Sequence, residues 1–182
     1  PNLMDETVPY GKDDTQNVST KTWGEIPQFN FEVQHHGLIA RNIQGAEFER
    51  AVKISGAGFY ALKGPLVLLD HALQWYALDT LMREGFIPMQ PPFLMNRAAY
   101  EGVTDLGDFE QVLYKVDKED LHLIATSEHP LTAMYMNEII PVQELPIQLA
   151  GISPNFRKEI GKHGLDERGF FRVHQFNKVE QV

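Results

Sequence analysis

Gly169-Phe170-Phe171-Arg172-Val173-His174-Gln175-Phe176-Asn177-Lys178-Val179-Glu180, preceded by Phe156-Arg157-Lys158-Glu159 and the polar run 161–168, decides the fold. Apolar stretches on either side of that run predict an antiparallel hairpin with a long tip, its strands over 147–153 and 169–179. Phe170, Arg172, His174, Phe176, Lys178 and Glu180 then share one face of the second strand, with a period of two. At about 3.4 Å per residue, Arg172 and Phe176 stand roughly 13–14 Å apart. Arg157 and Glu159 share a face of the partner segment. A guanidinium grips phosphate, a ring stacks on a nucleobase and a carboxylate accepts from an amino group, so this face suits a nucleoside triphosphate. Residues 157–178 carry six of the 16 basic side chains (Arg157, Lys158, Lys162, Arg168, Arg172 and Lys178) against Glu159, Asp166 and Glu167. A solvated basic hairpin is the commoner origin of such a run; the alternation argues against it.

Working upstream, 111–116 and 121–125 flank Asp117-Lys118-Glu119-Asp120 as a second predicted hairpin. Thr126-Ser127-Glu128 leads into a predicted helix over 130–140, capped by Thr126 or Ser127. The clearest helix runs over 66–84, opened by Gly64-Pro65 and stopped by Gly85. Leu66, Leu69, Leu73, Tyr76, Ala77 and Leu81 recur at helical spacing, while Trp75, Leu78 and Met82 lie off that stripe. A helix apolar on more than one face calls for a second burial partner, such as another subunit. Pro88, Pro91 and Pro92 put the strand over 86–90 at an edge or an interface. A short helical pattern covers 46–54 and a strand 59–62. Residues 1–34 are polar and turn-rich. The expected organisation is a lead-in over 1–45 packing on a core over 46–182. Helices interspersed with antiparallel strands make the class α+β.

The 182 residues hold 16 Lys+Arg against 25 Asp+Glu, a net charge of −9, which argues against non-specific coating of nucleic acid. There is no cysteine, so disulfides, thiolate zinc sites and a thiol nucleophile are excluded. No apolar run approaches the roughly 18–20 residues of a membrane span, and 1–6 lack a secretory layout. A cytoplasmic protein with no membrane partner is expected. His35-His36 point apart with no third ligand nearby, so no metal site is predicted. His71 and His122 sit in apolar patterns and are expected in the core. His174 is expected to be structural, and His163, at a loop tip, exposed.

These residues resemble a known family. Phe156-Arg157-Lys158-Glu159, a loop, then Arg172-Val173-His174-Gln175-Phe176 resembles motif 2 of the class II aminoacyl-tRNA synthetases. Gly85-Phe86-Ile87-Pro88-Met89-Gln90-Pro91-Pro92 with the preceding helix resembles their motif 1, a dimerisation element. Thr126-Ser127-Glu128 before Pro130-Leu131-Thr132, and the whole of 168–180, are similar to the serine-specific branch. Tyr100-Glu101-Gly102-Val103-Thr104-Asp105 and 125–136 look like archaeal versions. The lead-in (Pro1-Asn2, Val8-Pro9, Gly11-Lys12-Asp13, Asn17) resembles that branch's link from coiled-coil arm to catalytic domain. The resemblance covers essentially the whole chain. Motif 3 is not among these residues, and the last strand runs to Val182, so a catalytic-domain fragment is expected. Asn155 stands where such sequences commonly carry Cys.

The resemblance implies a class II antiparallel sheet flanked by helices, L-serine and ATP as substrates with Mg²⁺, the acceptor end of serine tRNA as partner, and a homodimer through Leu66 to Pro92. It implies Thr126, Glu128 and the Ser127 backbone on serine's amino group, and Glu180 on its hydroxyl and amino groups. Arg157 would hold the serine carboxylate and the ATP α-phosphate, with Lys158 in the same ATP-binding segment and Glu159 on the adenine amino group. Arg172 would take the γ-phosphate and Phe176 would stack on adenine beside the Val173 backbone. Arg157 and Arg172 would be the catalytic pair. The loop 161–168 would close over ATP. Two competitors remain: a relative that loads a small amino acid onto a carrier protein, disfavoured because it needs thiolate zinc ligands, and a non-catalytic dimerisation or interaction module.

Overall fold

The computed structural model describes residues 4–159 and 169–182; the loop 161–168, with Lys162, His163 and Arg168, lies outside the described residues. The chain divides into two units, Pro1–Val33 and Gln34–Val182. In the first, a 3₁₀ turn at Asp14–Gln16 is held by the Asp13 carboxylate, which accepts from the Thr15 amide. The second unit contains the regular elements.

Helix α1 spans His36–Asn42, strand β1 Ala46–Glu47, helix α2 Glu49–Ser55 and strand β2 Ala61–Leu62. The helical pattern expected over 46–54 thus starts late, because Ala46 and Glu47 pair antiparallel with Leu62 and Ala61. Helix α3 is Pro65–Arg83, with Pro65 in its first turn and Gly85 beyond its end at a φ of 94°. That left-handed conformation is why glycine serves as the stop.

Strand β3, Ile87–Met89, pairs parallel with β6, Leu149–Phe156, which pairs antiparallel with β7, Gln175–Gln181. The order β3-β6-β7 leaves β3 at an edge of the described sheet, where Pro88 does no harm. Helix α3 packs on this sheet, on the face presenting Asn177, whose amide donates to Asp70 at 3.0 Å. An open groove of about 520 Å³ lies between them, lined in part by Tyr76, Leu81, Val179 and Gln181. Phe176, Lys178 and Glu180 point to the opposite face.

Strand β4, Leu94–Met95, helices α4, Arg97–Glu101, and α5, Leu106–Phe109, strand β5, His122–Leu123, and helix α6, Glu128–Ala133, build the other layer. The expected hairpin over 111–125 forms around Lys118 at a φ of 63°, with Lys115 bridging His122. Its first strand is short because Glu110–Val112 is a 3₁₀ turn. Met95, Tyr100, Leu106, Leu113, Ile124 and Ala125 form a buried cluster here. His122 is buried with them as expected, whereas His71 on α3 is exposed. Burial pushes the Tyr100 hydroxyl up to about 12, so it remains a donor, to the Leu123 carbonyl at 3.2 Å.

Of the expected elements that come out shorter, two bear on the site. Helix α6 ends at Ala133, not 140: its last turn tightens, with Met136 N–H donating to Ala133 and Glu138 N–H to Tyr135, and Asn137 sits at a φ of 64°. The strand predicted over 169–179 begins only at Gln175. The Phe170 amide donates to His36 Nε2 at 2.9 Å, its ring packs against His36, Phe48 and Tyr60, and the His174 amide donates to Gly58. These contacts draw 169–174 off the sheet, so Phe170, Arg172 and His174 do not continue the face of Phe176, Lys178 and Glu180.

Candidate active site

The β6–β7 register sets Gly151 opposite Glu180, Ser153 opposite Lys178 and Asn155 opposite Phe176. Helix α6 seats its N-terminal end on this face. A Cβ at Gly151 would lie 2.6 Å from Ser127 Oγ and 2.8 Å from Leu131 Cδ1, so only glycine admits the helix this closely. The approach brings Thr126, Ser127 and Glu128 onto Glu180. Glu180 Oε2 accepts from Thr126 Oγ1 and Ser127 Oγ, each at 2.7 Å, and from the Glu128 amide at 3.3 Å. Its other oxygen pairs with the Lys178 ammonium, which also donates to Thr126 Oγ1 at 3.0 Å.

The expected side-chain caps on α6 are therefore absent: Ser127 occupies the cap position without a capping hydrogen bond, because both hydroxyls donate to Glu180 instead. Burial pushes the Glu180 carboxyl up, and the hydrogen bonds from Lys178, Thr126 and Ser127 more than offset this, leaving it below its ordinary value of 4.5. It is a carboxylate at neutral pH.

Arg157 follows β6. Its amide donates to the His174 carbonyl at 2.9 Å and its Nε to the Ala125 carbonyl at 3.1 Å. The guanidinium carbon lies 5.5 Å from the Phe176 ring centroid, a cation–π distance. Backbone and ring together fix a fork most of whose donors have no partner among the described residues. Lys158 turns away, its ammonium 5.6 Å from the Tyr114 ring centroid. Glu159 accepts from Arg172 at 3.3 Å, and Val173 is buried. His174 stacks on Phe59 and its Nδ1 meets the Tyr114 hydroxyl at 2.5 Å.

The structure thus gathers Thr126, Ser127, Glu128, Arg157, Phe176 and Glu180 on one floor, and sets Glu159 and Arg172 together beyond Arg157. Such a floor offers an anion and hydroxyls for an ammonium, a guanidinium for a carboxylate or phosphate, and a ring for a base.

Residues 113–182 match the family described as tRNA synthetase class II core domain (G, H, P, S and T). Over those residues the chain is similar to the class II tRNA synthetase core. It is 60% identical over 181 residues to a serine–tRNA ligase of Methanocella arvoryzae and 50% identical to one of Nitrosopumilus maritimus, spanning 43% of each relative's length. The seryl-tRNA synthetase of Pyrococcus horikoshii, solved with ATP, superposes with a TM-score of 0.93 at 43% identity; this chain is fully covered and spans 45% of that one. A cytoplasmic serine–tRNA ligase of Naegleria fowleri, solved with AMP, gives 0.89 at 37% identity, over 97% of this chain and 43% of its own. The expected α+β class II synthetase fold is the one observed.

Sequence reasoning gave no role to four residues here. Gly151 shows itself only when α6 is placed. The Ala125 carbonyl that holds Arg157 carries no side-chain signal. Lys178 was legible, since it lies two residues from Glu180 on the same face. Asn155, noted only as standing where such sequences commonly carry Cys, is buried, accepts from Ser153 Oγ at 2.9 Å and leaves its Nδ2 without a partner among the described residues. His35 and His36 accept from the Gly37 and Phe170 amides.

Proposed function

We propose that this chain supplies the amino-acid- and ATP-binding part of a serine–tRNA ligase, activating L-serine as seryl-adenylate for transfer to the acceptor end of serine tRNA. The observation that carries the reading is the Thr126–Ser127–Glu128–Glu180 cluster beside Arg157 and Phe176. The names of the relatives and the ATP and AMP of the two solved neighbours support it.

In this reading Thr126, Glu128 and the Ser127 backbone take serine's ammonium, and Glu180 its hydroxyl and amino groups. A site built to hydrogen-bond the hydroxyl rejects alanine strongly, because binding alanine leaves a buried polar group unpaired. Arg157 holds the serine carboxylate against the α-phosphate, with Lys158 in the same nucleotide-binding segment. Glu159 accepts from the adenine amino group, Phe176 stacks on the ring beside the Val173 backbone, and Arg172 grips the γ-phosphate. A serine carboxylate oxygen forms a bond to the α-phosphorus as the α–β bridging oxygen leaves with pyrophosphate. No general base is needed, since the nucleophile is already ionised. Arg157 and Arg172 neutralise the charge that develops on phosphoryl oxygens, and the rest is positioning. A tRNA hydroxyl then attacks the adenylate carbonyl and AMP leaves.

Mg²⁺ is usual company for ATP, but among the described residues no three His, Asp or Glu side chains gather to hold a cation. These residues do not form a resident metal site. No helix among the described residues is long and apolar enough to cross a membrane. A cytoplasmic location, a division into a lead-in over 1–45 and a core over 46–182, and a homodimer through Leu66 to Pro92 belong to the same reading. The exposed Leu69, Leu73 and Trp75 of α3 support the dimer. That same surface favours the second reading, a non-catalytic dimerisation module.

Serine-dependent ATP–pyrophosphate exchange separates the two. Exchange is expected with serine and not with alanine, and Arg157→Ala should cost roughly 2.7–4 kcal/mol of transition-state stabilisation, about 10²–10³ in rate. A folded dimer without exchange leaves the module reading in place.

A further inference from the structure

Glu180 is the most heavily bonded side chain on the floor, and the partner of its second oxygen is a lysine from its own strand. The Glu180 side chain is 11% exposed and that of Lys178 34%. Lys178 reaches from the solvent side to place its ammonium on two acceptors, a Glu180 oxygen and Thr126 Oγ1. These are the acceptors that the reading above assigns to the amino group of the substrate, and the inference rests on that reading. An alkylammonium on a carboxylate and a hydroxyl is chemically the same whether it ends a lysine or an amino acid.

We propose that the Lys178 ammonium is an internal stand-in for the substrate's ammonium, occupying its seat while the site is empty and leaving when an amino acid binds. Two physical requirements lead to this. A carboxylate buried this far needs a cation at all times, since leaving it unpaired costs its full desolvation. It also has little room for two: Oε2 already accepts from two hydroxyls and an amide, and the remaining oxygen is taken by Lys178. The exchange is therefore one cation for another. Lys178 can leave at low cost because its long stem already reaches solvent, where the freed ammonium is hydrated. Thr126 serves both states, its hydroxyl donating to Glu180 and accepting from whichever ammonium is present.

The stand-in has a selective consequence. A ligand without an amino group cannot replace the lysine on Glu180, so it meets an occupied seat, whereas a ligand with one restores every hydrogen bond that Lys178 gives up. Lys178 thus moderates the affinity for ligands that carry an amino group, the only ones that must displace it, without taking part in the chemistry.

The test uses the chain as it stands, with L-serine and 3-hydroxypropanoate, which lacks only the amino group. Calorimetry should show Lys178→Met binding L-serine about tenfold more tightly than the unaltered chain, the scale of one charge-assisted hydrogen bond no longer broken. The affinity for 3-hydroxypropanoate should not change, and Lys178→Arg should gain nothing. In the unaltered chain, the Lys178 ammonium signal in a ¹⁵N NMR spectrum should shift to its solvated position with L-serine and stay put with 3-hydroxypropanoate; this readout needs no variant to fold. If L-serine binds and the Lys178 signal does not move, or if folded Lys178→Met binds serine no better, the stand-in is overturned and the site reading survives. If L-serine binds neither the unaltered chain nor Lys178→Met, the site reading fails and the stand-in with it.

Discussion

Helix α3 and helix α6 divide the work of this molecule unequally. The nineteen residues of α3 fully bury only Leu78, while Leu68, Leu69, Leu73, Trp75 and Tyr76 stay exposed, Leu73 at 59% and Tyr76 at 71%. The six residues of α6 bury Pro130 and Leu131 completely or nearly so, and its N-terminal end touches Glu180 through Thr126, Ser127 and Glu128. A nineteen-residue helix is long enough for its own hydrogen-bond ladder to carry it, whereas a six-residue one is far below the length at which isolated helices persist in water. Helix α6 exists because Leu131 and the Gly151 notch hold it. Apolar content alone does not say where the core is: α3 has more of it, and the buried cluster sits under α4, α5 and α6.

Equivalent leucines in the two regions break or sharpen this comparison most directly. Leu131→Ala should cost about 2–5 kcal/mol in urea unfolding, as a fully buried leucine does. Leu73→Ala should stay within about ±0.5 kcal/mol in a monomer, as a surface change does. Equal costs at high dilution would erase the distinction. Leu73→Glu then asks what α3 is for: sedimentation should show weakened self-association with the monomer's stability unchanged, and an unaltered oligomeric state would remove the dimer from α3.

A smaller effect probes the notch. Gly151→Ala puts a methyl into Ser127 and Leu131, an overpacking cost of about 1–3 kcal/mol. Because the displaced part includes Ser127, serine affinity should fall along with stability. Stability lost with affinity intact would mean that α6 yields at Leu131 alone.

The smallest effects are in pH, and two of them belong to the α6 side. Burial holds His129 below its ordinary 6.5, with Arg157 and Lys178 pushing the same way and Glu128 and Glu180 opposing. The unfolded chain therefore takes up a proton that the folded one refuses, so stability should fall as pH drops below about 6.5. Glu180, held below 4.5, stabilises the fold above that value, and this contribution should be lost as pH falls through its lowered native value. Denaturant midpoints from pH 8 to 3 should show both declines. His129→Gln should shrink the upper one, to which His36, also lowered by burial, contributes, and leave the lower; two unchanged declines would assign the upper one elsewhere.

How much of this was legible depends on the range of the interaction. Helix α3 was read almost to the residue, because Pro65, Gly85 and a helical apolar spacing are signals written within one segment. Pro88 put β3 at an edge for an equally local reason, the missing N–H. The pairing of Glu180 with Thr126 and Ser127 came only through a family resemblance, since more than fifty residues of chain separate them. Phe170 and Arg172 were assigned to the wrong face: the alternation is real in the sequence, but His36 and Gly58 take the backbone of 169–174 elsewhere, from more than a hundred residues upstream.

By itself the sequence determined the class, the long helix, both hairpins and the residue types of a nucleotide- and amino-acid-binding face, because period, turn chemistry and prolines act through neighbours in the chain. Only the tertiary structure decided that β7 starts at Gln175, that Ser127 gives up capping its helix to serve Glu180, that Ala125 holds Arg157, and that Lys178 sits in the carboxylate's remaining place. Each is a competition between a local partner and a distant one. The outcome depends on which atoms burial brings within about 3 Å, and no window of sequence contains that distance.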